Sequence, residues 1–307
     1  MPDLVTVGHI LMDIRFFVDK FPQPDAEAKT DKLSLGGGGS AANVAVSASR
    51  LGVKSGFIGT VGFDSYGRTL LGELEREGVD VSCVKIDTTT NSGITCIAIN
   101  EQGQVLMFGY VGASDKLYPE DLKKEYISSA KHLHITGLSF ETALAAAKIA
   151  SKAKIVVSFD PGRLMSGLGL KKVSPLLKEV NQILLNHEEA KALSGESNLE
   201  DAGSILLKNG PKVAVIKRGG DGVLVMTQDS KFSVPAPHVK VVDTTGAGDS
   251  FSGGFITAQL EGESLEDSVK FASATAGLKI TKMGARALPT RTEVERFLKA
   301  HDHGSLI

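Results

Sequence analysis

The chain has 307 residues, 42% of them hydrophobic and 23% charged, with 34 lysines and arginines against 36 aspartates and glutamates. That composition supports a large buried core and excludes a disordered chain, a collagen or a coiled coil. The near-neutral balance argues against a dedicated nucleic-acid or anionic-membrane binder, no run approaches the ~20 apolar residues that span a bilayer, and MPDLVTVGHI has no basic stretch before an apolar one. Two cysteines, Cys83 and Cys96, make neither a disulfide framework nor a zinc pattern, so a reducing cytoplasm is the expected compartment. Glycine is the outlier: 34 of 307 residues, about 11% against a usual ~7%. Backbone is expected to approach something closely, and more than once.

Leu4–Gly8 is a short apolar run closed by glycine and predicts a buried strand. Residues 13–35 are mixed, and Pro22 and Pro24 exclude a helix there. Gly36 to Gly39 lead into a helix that starts at Ser40, a good N-cap, and stops before Gly52. Nearly all its faces are small or apolar, so it is expected to be buried. Ser65–Glu77 reads as an amphipathic helix with Leu70, Leu71 and Leu74 inside and Gly78 as its stop. Residues 93–111 read as a β-hairpin turning near Gly103.

From about residue 117 strands and helices alternate. Helix 141–152 feeds strand 154–160, strand 183–185 feeds helix 187–194, and a helix near 199–208 feeds strand 213–217. A strand near 239–242, a helix from Asp249, a helix over 265–281 and a terminal helix over 290–299 complete the reading. Continuous apolar strands alternating with helices imply a mainly parallel sheet covered on both faces. The expected architecture is a single α/β domain over residues 1–307, with residues 13–35 and 93–111 as β excursions forming a lid.

The segment Val242–Phe255, VDTTGAGDSFSGGF, lies between a predicted strand and a predicted helix. Two glycines in three residues let the backbone turn its N–H groups toward one point, and the helix start adds partial positive charge, which together make a phosphate nest. Asp249 at that helix start could take a proton from an attacking hydroxyl, or could simply cap its helix.

This segment and the Gly36–Gly52 helix resemble the two defining motifs of the ribokinase-like (PfkB) carbohydrate kinase family. The D-T-x-G-A-G-D motif is matched by Asp243, Thr244, Gly246, Ala247, Gly248 and Asp249; the N-terminal G-G-x-x-x-N motif and its closing L-G are matched by Gly38, Gly39, Asn43, Leu51 and Gly52. Gly59–Asp64, the N-x-x-E motif at Asn186 and Glu189, and Lys217–Gly222 follow in the family's order. The resemblance implies a ribokinase-like three-layer fold with a small β lid, and ATP-dependent transfer of a phosphoryl group to a hydroxyl of a small sugar or sugar acid. It implies Asp249 as general base, with the N–H groups of Gly246, Ala247, Gly248 and Asp249 as the anion hole. It places Asn186, Lys217, Gly219 and Thr244 on the nucleotide, and Asn186 and Glu189 on Mg²⁺ through water. Asp13, Gly38, Gly39 and Asn43 would bind acceptor hydroxyls, and Asp243 and Thr245 would lie at a monovalent cation such as K⁺. Gly248 is expected not to tolerate a side chain.

Ser40 stands where ribokinase proper carries lysine, so ribose is not implied as the acceptor. A nucleoside kinase of the same family is the alternative, with Phe16, Phe17, Phe21, Phe108 and Tyr110 available for stacking. A non-catalytic regulator is the lesser one, since Asp249 and the anion-hole glycines are present. A dinucleotide-binding fold is set aside: Gly37-x-Gly39-x-x-Ala42 lacks a buried strand before it, residues 29–35 being mostly polar. Exposed apolar lid strands would favour pairing between subunits, hence a homodimer.

Overall fold

The computed structural model describes residues 1–302. The chain begins β1 (Leu4–Gly8), β2 (Leu11–Phe17), β3 (Lys32–Gly38), α1 (Ser40–Arg50), β4 (Ser55–Ile58), β5 (Thr60–Gly62), α2 (Ser65–Arg76), β6 (Lys85–Asp87), β7 (Gly93–Ile99) and β8 (Val105–Tyr110). After α3 (Lys124–Ser128) come β9 (His132–Thr136), α4 (Phe140–Lys152), β10 (Val156–Asp160), α5 (Gly162–Ser166), α6 (Leu170–Leu177), β11 (Gln182–Asn186), α7 (His187–Ser194), α8 (Leu199–Lys208) and β12 (Val213–Lys217). A hairpin, β13 (Val223–Met226) and β14 (Lys231–Val234), precedes α9 (Ala247–Leu260), α10 (Leu265–Ile280) and α11 (Arg291–Asp302).

The main sheet has the order β14-β13-β12-β11-β10-β9-β1-β4, parallel from β12 to β4 with the β13–β14 hairpin antiparallel at one edge. Strand alternation builds the layers. Ile183 and Leu185 of β11, with Ala214 and Ile216 of β12, face a core shared with Ala143, Leu176, Leu193 and Leu206 of helices α4, α6, α7 and α8. The intervening Leu184 and Val215 face Val44, Phe251, Phe255 and Val269 of α1, α9 and α10. Both faces are therefore covered, which is why these strands read as unbroken apolar runs. The small, apolar α1 is buried from Ala41 to Ala48, as its composition predicts.

A second sheet, ordered β3-β2-β7-β8, is made by the segments expected as β excursions. The strand β3 takes in Gly36 to Gly38 of the glycine run, but before them it is a largely exposed strand of this small sheet rather than the buried strand a dinucleotide fold needs. The expected strand at 239–242 does not form. Val241 and Val242 are exposed there, and the amides of Val242 and Asp243 both donate to the carbonyl of Ile280 at the end of α10. Valine-rich sequence without a ladder partner stays irregular. No helix of the described residues is long and apolar enough to cross a membrane.

Candidate active site

Three adjacent parallel strands end on polar side chains: β10 on Asp160, β11 on Asn186 and β12 on Lys217. In open α/β sheets the crevice beyond the carboxyl ends of the strands is where ligands bind. Here it is a cavity of about 1090 Å³ lined by Asp160, Asn186, Glu189, Lys217, Gly219, Thr244, Ala247, Gly248 and Asp249, with an apolar wall that includes Pro237, Val241, Ala276 and Ile280. Every residue expected at the nucleotide therefore reaches one space.

The floor of the cavity is the start of α9. Gly246 caps the helix in the left-handed region (φ 77°), and a side chain there would fall 2.7 Å from the carbonyl of Ala285. Both the backbone and the space demand glycine. The Ala247 amide turns back to the carbonyl of Thr244 (3.1 Å), while those of Gly246, Gly248 and Asp249 have no backbone acceptor among the described residues. The expected anion hole therefore has three free donors, and Ala247 closes the turn that presents them. At Gly248 the backbone is ordinary helix, and an added Cβ would meet only Lys217 Nζ, at 3.3 Å. Backbone strain thus belongs to Gly246, and Gly248 keeps room for the Lys217 ammonium above the helix start.

Lys217 Nζ donates to Asp160 Oδ2 at 2.9 Å. Burial works against its charge, but Asp160, then Glu189 and Asp249, outweigh that and raise its pKa. Asn186 and Glu189 form a reciprocal cap on α7: Asn186 Oδ1 accepts from the Glu189 amide and Glu189 Oε2 from the Asn186 amide, both at 2.9 Å. One carboxylate oxygen is thus spent on the helix and the other remains. Burial, then Asp160, raises the Glu189 pKa.

Asp249 is the junction of two regions. Its Oδ2 accepts from Asn43 Nδ2 at 2.8 Å, with the Ser40 hydroxyl a further donor. Burial, with repulsion from Asp160, lifts its pKa to about 6 against the support of Asn43 and Lys217. That suits a base working near neutrality. It does not cap its helix: Gly246 is the N-cap, and α9 has no side-chain N-cap bond.

Beyond Asn43 lies the glycine run. Gly38 sits where a Cβ would come 2.8 Å from the Asp13 carboxylate, and Gly39 opens α1 with φ 94° against the carbonyl of His9. Asp13 pairs with buried Arg15 at 2.6 Å, and burial raises its pKa despite Arg15 and Arg286. No local sequence signal marks Arg286, which lies 243 positions from Asn43. Its Nε donates to Asn43 Oδ1 (3.2 Å), its Nη1 to Glu73 Oε2 (3.0 Å) and its Nη2 to the carbonyl of Gly38 (3.1 Å). By engaging Oδ1, Arg286 fixes the Asn43 amide so that Nδ2 faces Asp249. It also fills the space a Gly37 side chain would need. Asp160 is the other omission from the sequence reading.

Asp243 and Thr245 face away from the cavity. Asp243 Oδ1 accepts from the Thr245 amide (2.9 Å) and Oδ2 from the Gly284 amide (2.7 Å), while its carbonyl accepts from Lys279 Nζ (2.8 Å).

Known proteins resemble this chain over nearly its whole length. The chain is 34% identical to the ATP-dependent ribose-1-phosphate kinase of Halopiger xanaduensis over 97% of this chain and 98% of that protein. The structure of ribokinase from Thermotoga maritima superposes with a TM-score of 0.89 at 31% identity, covering 97% of this chain and all of that one. Ribokinase of Arabidopsis thaliana, solved with ribose and ATP, gives 0.88 at 27% identity over 97% and 99% of the two chains. Residues 1–292 match the pfkB family of carbohydrate kinases, and with that match over nearly the whole chain and a ribokinase fold, the chain belongs to that family.

Proposed function

We propose that this carbohydrate kinase moves the γ-phosphoryl of ATP to a hydroxyl of a sugar held between the two sheets, with Asp249 as the base. The observation that carries this is the Asp249 carboxylate, which joins the cavity with its free helix-start amides to the Asn43–Gly38–Asp13 cluster. The apolar wall at Pro237, Val241, Ala276 and Ile280 suits an adenine ring, and Gly219 and Thr244 lie beside it. Lys217 and the amides of Gly246, Gly248 and Asp249 stabilise charge on the transferring group. Asp249 accepts the proton as the acceptor oxygen bonds to phosphorus and the bond to ADP breaks. Mg²⁺ bound by the nucleotide phosphates would offset their charge. No cluster of three or more metal-ligating side chains exists among the described residues, so Asn186, Glu189 and Asp160 would hold the ion largely through water.

Asp13, Gly38, Gly39 and Asn43 line up as the acceptor side. Asp13→Asn should lower kcat/KM for the acceptor by ~10–10², the worth of a buried charged hydrogen bond, and leave the KM for ATP unchanged. Steady-state kinetics in each substrate check this; equal effects on both would remove Asp13 from the acceptor.

Of the aromatic residues, Phe16, Phe108 and Tyr110 do not favour a nucleoside, whereas Phe17 alternates onto the Asp13 face, with Lys32 Nζ over its ring at 4.4 Å. The register pairs Asp13 with Thr95, and Ile14 with Cys96, which faces Phe108 across the next strand; Met12 likewise pairs with Ile94, which faces Tyr110. Side chains alternate along a strand, so Phe16, Phe108 and Tyr110 lie on the face opposite Asp13. Arg15 shares the Asp13 face and supports a second reading, a sugar that already carries a phosphate. ADP release from ATP·Mg²⁺ over ribose, ribose 1-phosphate, fructose, 2-keto-3-deoxygluconate and adenosine decides among them. Turnover with adenosine alone would overturn the sugar reading.

All six residues of β8 are exposed, among them Leu106, Met107, Phe108 and Tyr110, and this strand is an edge of its sheet. An apolar edge strand invites pairing, and a second copy of the lid is the proposed partner. Phe108→Glu should halve the mass measured by analytical ultracentrifugation; a wild-type monomer would refute the homodimer. The dependence on ATP and two unpaired cysteines, Cys83 and Cys96, fit the cytoplasm. A K⁺ ion at Asp243 and Thr245 does not fit the residues present, because an ammonium already meets the Asp243 carbonyl.

A further inference from the structure

We infer that the Lys279 ammonium is a built-in cation that holds the 243–249 turn in its phosphoryl-binding shape, so that this kinase needs no free monovalent ion. The inference rests on reading that turn as the anion hole. Lys279 lies in the last turn of α10 and is wholly buried (0% exposed), which is rare for lysine. It donates to the Asp243 carbonyl at 2.8 Å and stands 4.0 Å from Asp243 Oδ2. Asp243 in turn ties three segments together. Its amide donates to the Ile280 carbonyl, and its two carboxylate oxygens accept from Thr245 and Gly284. Gly246, next along, packs on Ala285. The ammonium thus sits behind the turn whose front offers the free amides of Gly246, Gly248 and Asp249.

Charge explains why a lysine is there. Burying an ammonium is costly, and a methionine, one atom shorter, would replace the apolar stem without that cost while leaving the ammonium position empty. Only a cation can satisfy a main-chain carbonyl and offset the Asp243 carboxylate from one point. A backbone turn that directs N–H dipoles at an anion leaves carbonyl oxygen on its other side, and positive charge there stabilises that arrangement. Lys279 is a positioning residue in this account, acting through the Asp243 main chain and touching no substrate.

The test measures kcat for the whole enzyme with ATP·Mg²⁺ and its best acceptor, in tetramethylammonium, potassium or ammonium chloride at equal ionic strength. Wild type should change less than two-fold among the three salts. Lys279→Met should lose about tenfold or more in tetramethylammonium, and potassium or ammonium ions should restore it several-fold with saturation, because small cations can fill the vacated site. Melting temperature is a second readout: potassium should raise it for Lys279→Met and leave wild type unmoved. Wild-type activation of fivefold or more by potassium would overturn the inference, even if Lys279→Met fails to fold. So would a folded Lys279→Met of normal rate, or one impaired equally in every salt. Wild type that transfers nothing to any acceptor would instead sink the kinase reading, with the melting curves still reporting on the cation.

Discussion

Asp249→Asn should reduce kcat by ~10²–10⁴, the usual worth of a positioned general base, while ATP still binds with wild-type affinity. Asparagine keeps the size of the side chain at the start of α9 but has no basic oxygen. The same carboxylate governs the pH profile. Burial holds its pKa up to about 6, and the base works only when ionised. The rate should therefore climb as pH rises through about 6 and then level off, and the Asn variant should lose that limb. Stability runs the other way. A carboxyl with a raised folded-state pKa costs stability that builds as pH rises from its ordinary value of 3.8 to about 6 and is fully present above that, so the Asn variant should melt no lower than wild type at pH 8. Kinetics from pH 5 to 8, isothermal titration with ATP and a thermal melt check all three. A near-normal kcat would remove Asp249 from the chemistry.

Gly246→Val should be nearly as damaging, by another route. A β-branched residue at φ 77° is strained, and its Cβ would press on the Ala285 carbonyl at 2.7 Å. The helix start must then shift, and with it the free amides of Gly246, Gly248 and Asp249. Losing one preorganised donor costs ~10²–10³ in kcat in comparable sites, and displacing the turn should cost at least that. Circular dichroism should remain that of the folded protein, because Gly246 lies outside the two main cores. Gly248→Ala makes the contrast: its backbone is relaxed, so its effect should be smaller and should act through Lys217, 3.3 Å from the new methyl group. Equal kcat losses in the two variants would show that backbone strain is not what matters.

The parts of the fold that were legible in the sequence are those where one local pattern suffices. Runs such as Ile183–Leu185 and Val213–Lys217 are apolar on both sides because helices cover both faces, and that alone implies a parallel sheet. The lid was readable as β because Pro22 and Pro24 bar a helix and Gly103 turns a hairpin. The valines at 239–242 misled, since strand propensity is worth little without a neighbour to pair with. The β13–β14 hairpin was missed, although Val223–Met226 is as apolar as the strands that were found.

In the site, residues inside the motifs were legible, and those that serve the motifs from a distance were not. Asp160 closes a predicted strand, and an acid at the carboxyl end of a parallel strand is a signal that could have been used. Its partner Lys217, however, lies 57 positions on and meets it only through the sheet. Arg286 reaches Asn43 across 243 positions, with nothing local to mark it. The four-glycine run gains its meaning there: Gly37 makes way for Arg286 and Gly38 for Asp13. Conversely, Asn186 and Glu189 stand out in sequence, yet part of their hydrogen bonding is spent on capping α7.

The central claim, that a sugar hydroxyl gives its proton to Asp249 as it takes the γ-phosphoryl of ATP, is tested most directly by following the product. ³¹P NMR of ATP·Mg²⁺ with ribose or ribose 1-phosphate should show a new phosphate-ester resonance growing in step with ADP for wild type, and almost none for Asp249→Asn over the same period. ADP appearing with inorganic phosphate instead of an ester, or an ester formed equally fast by the Asn variant, would contradict it.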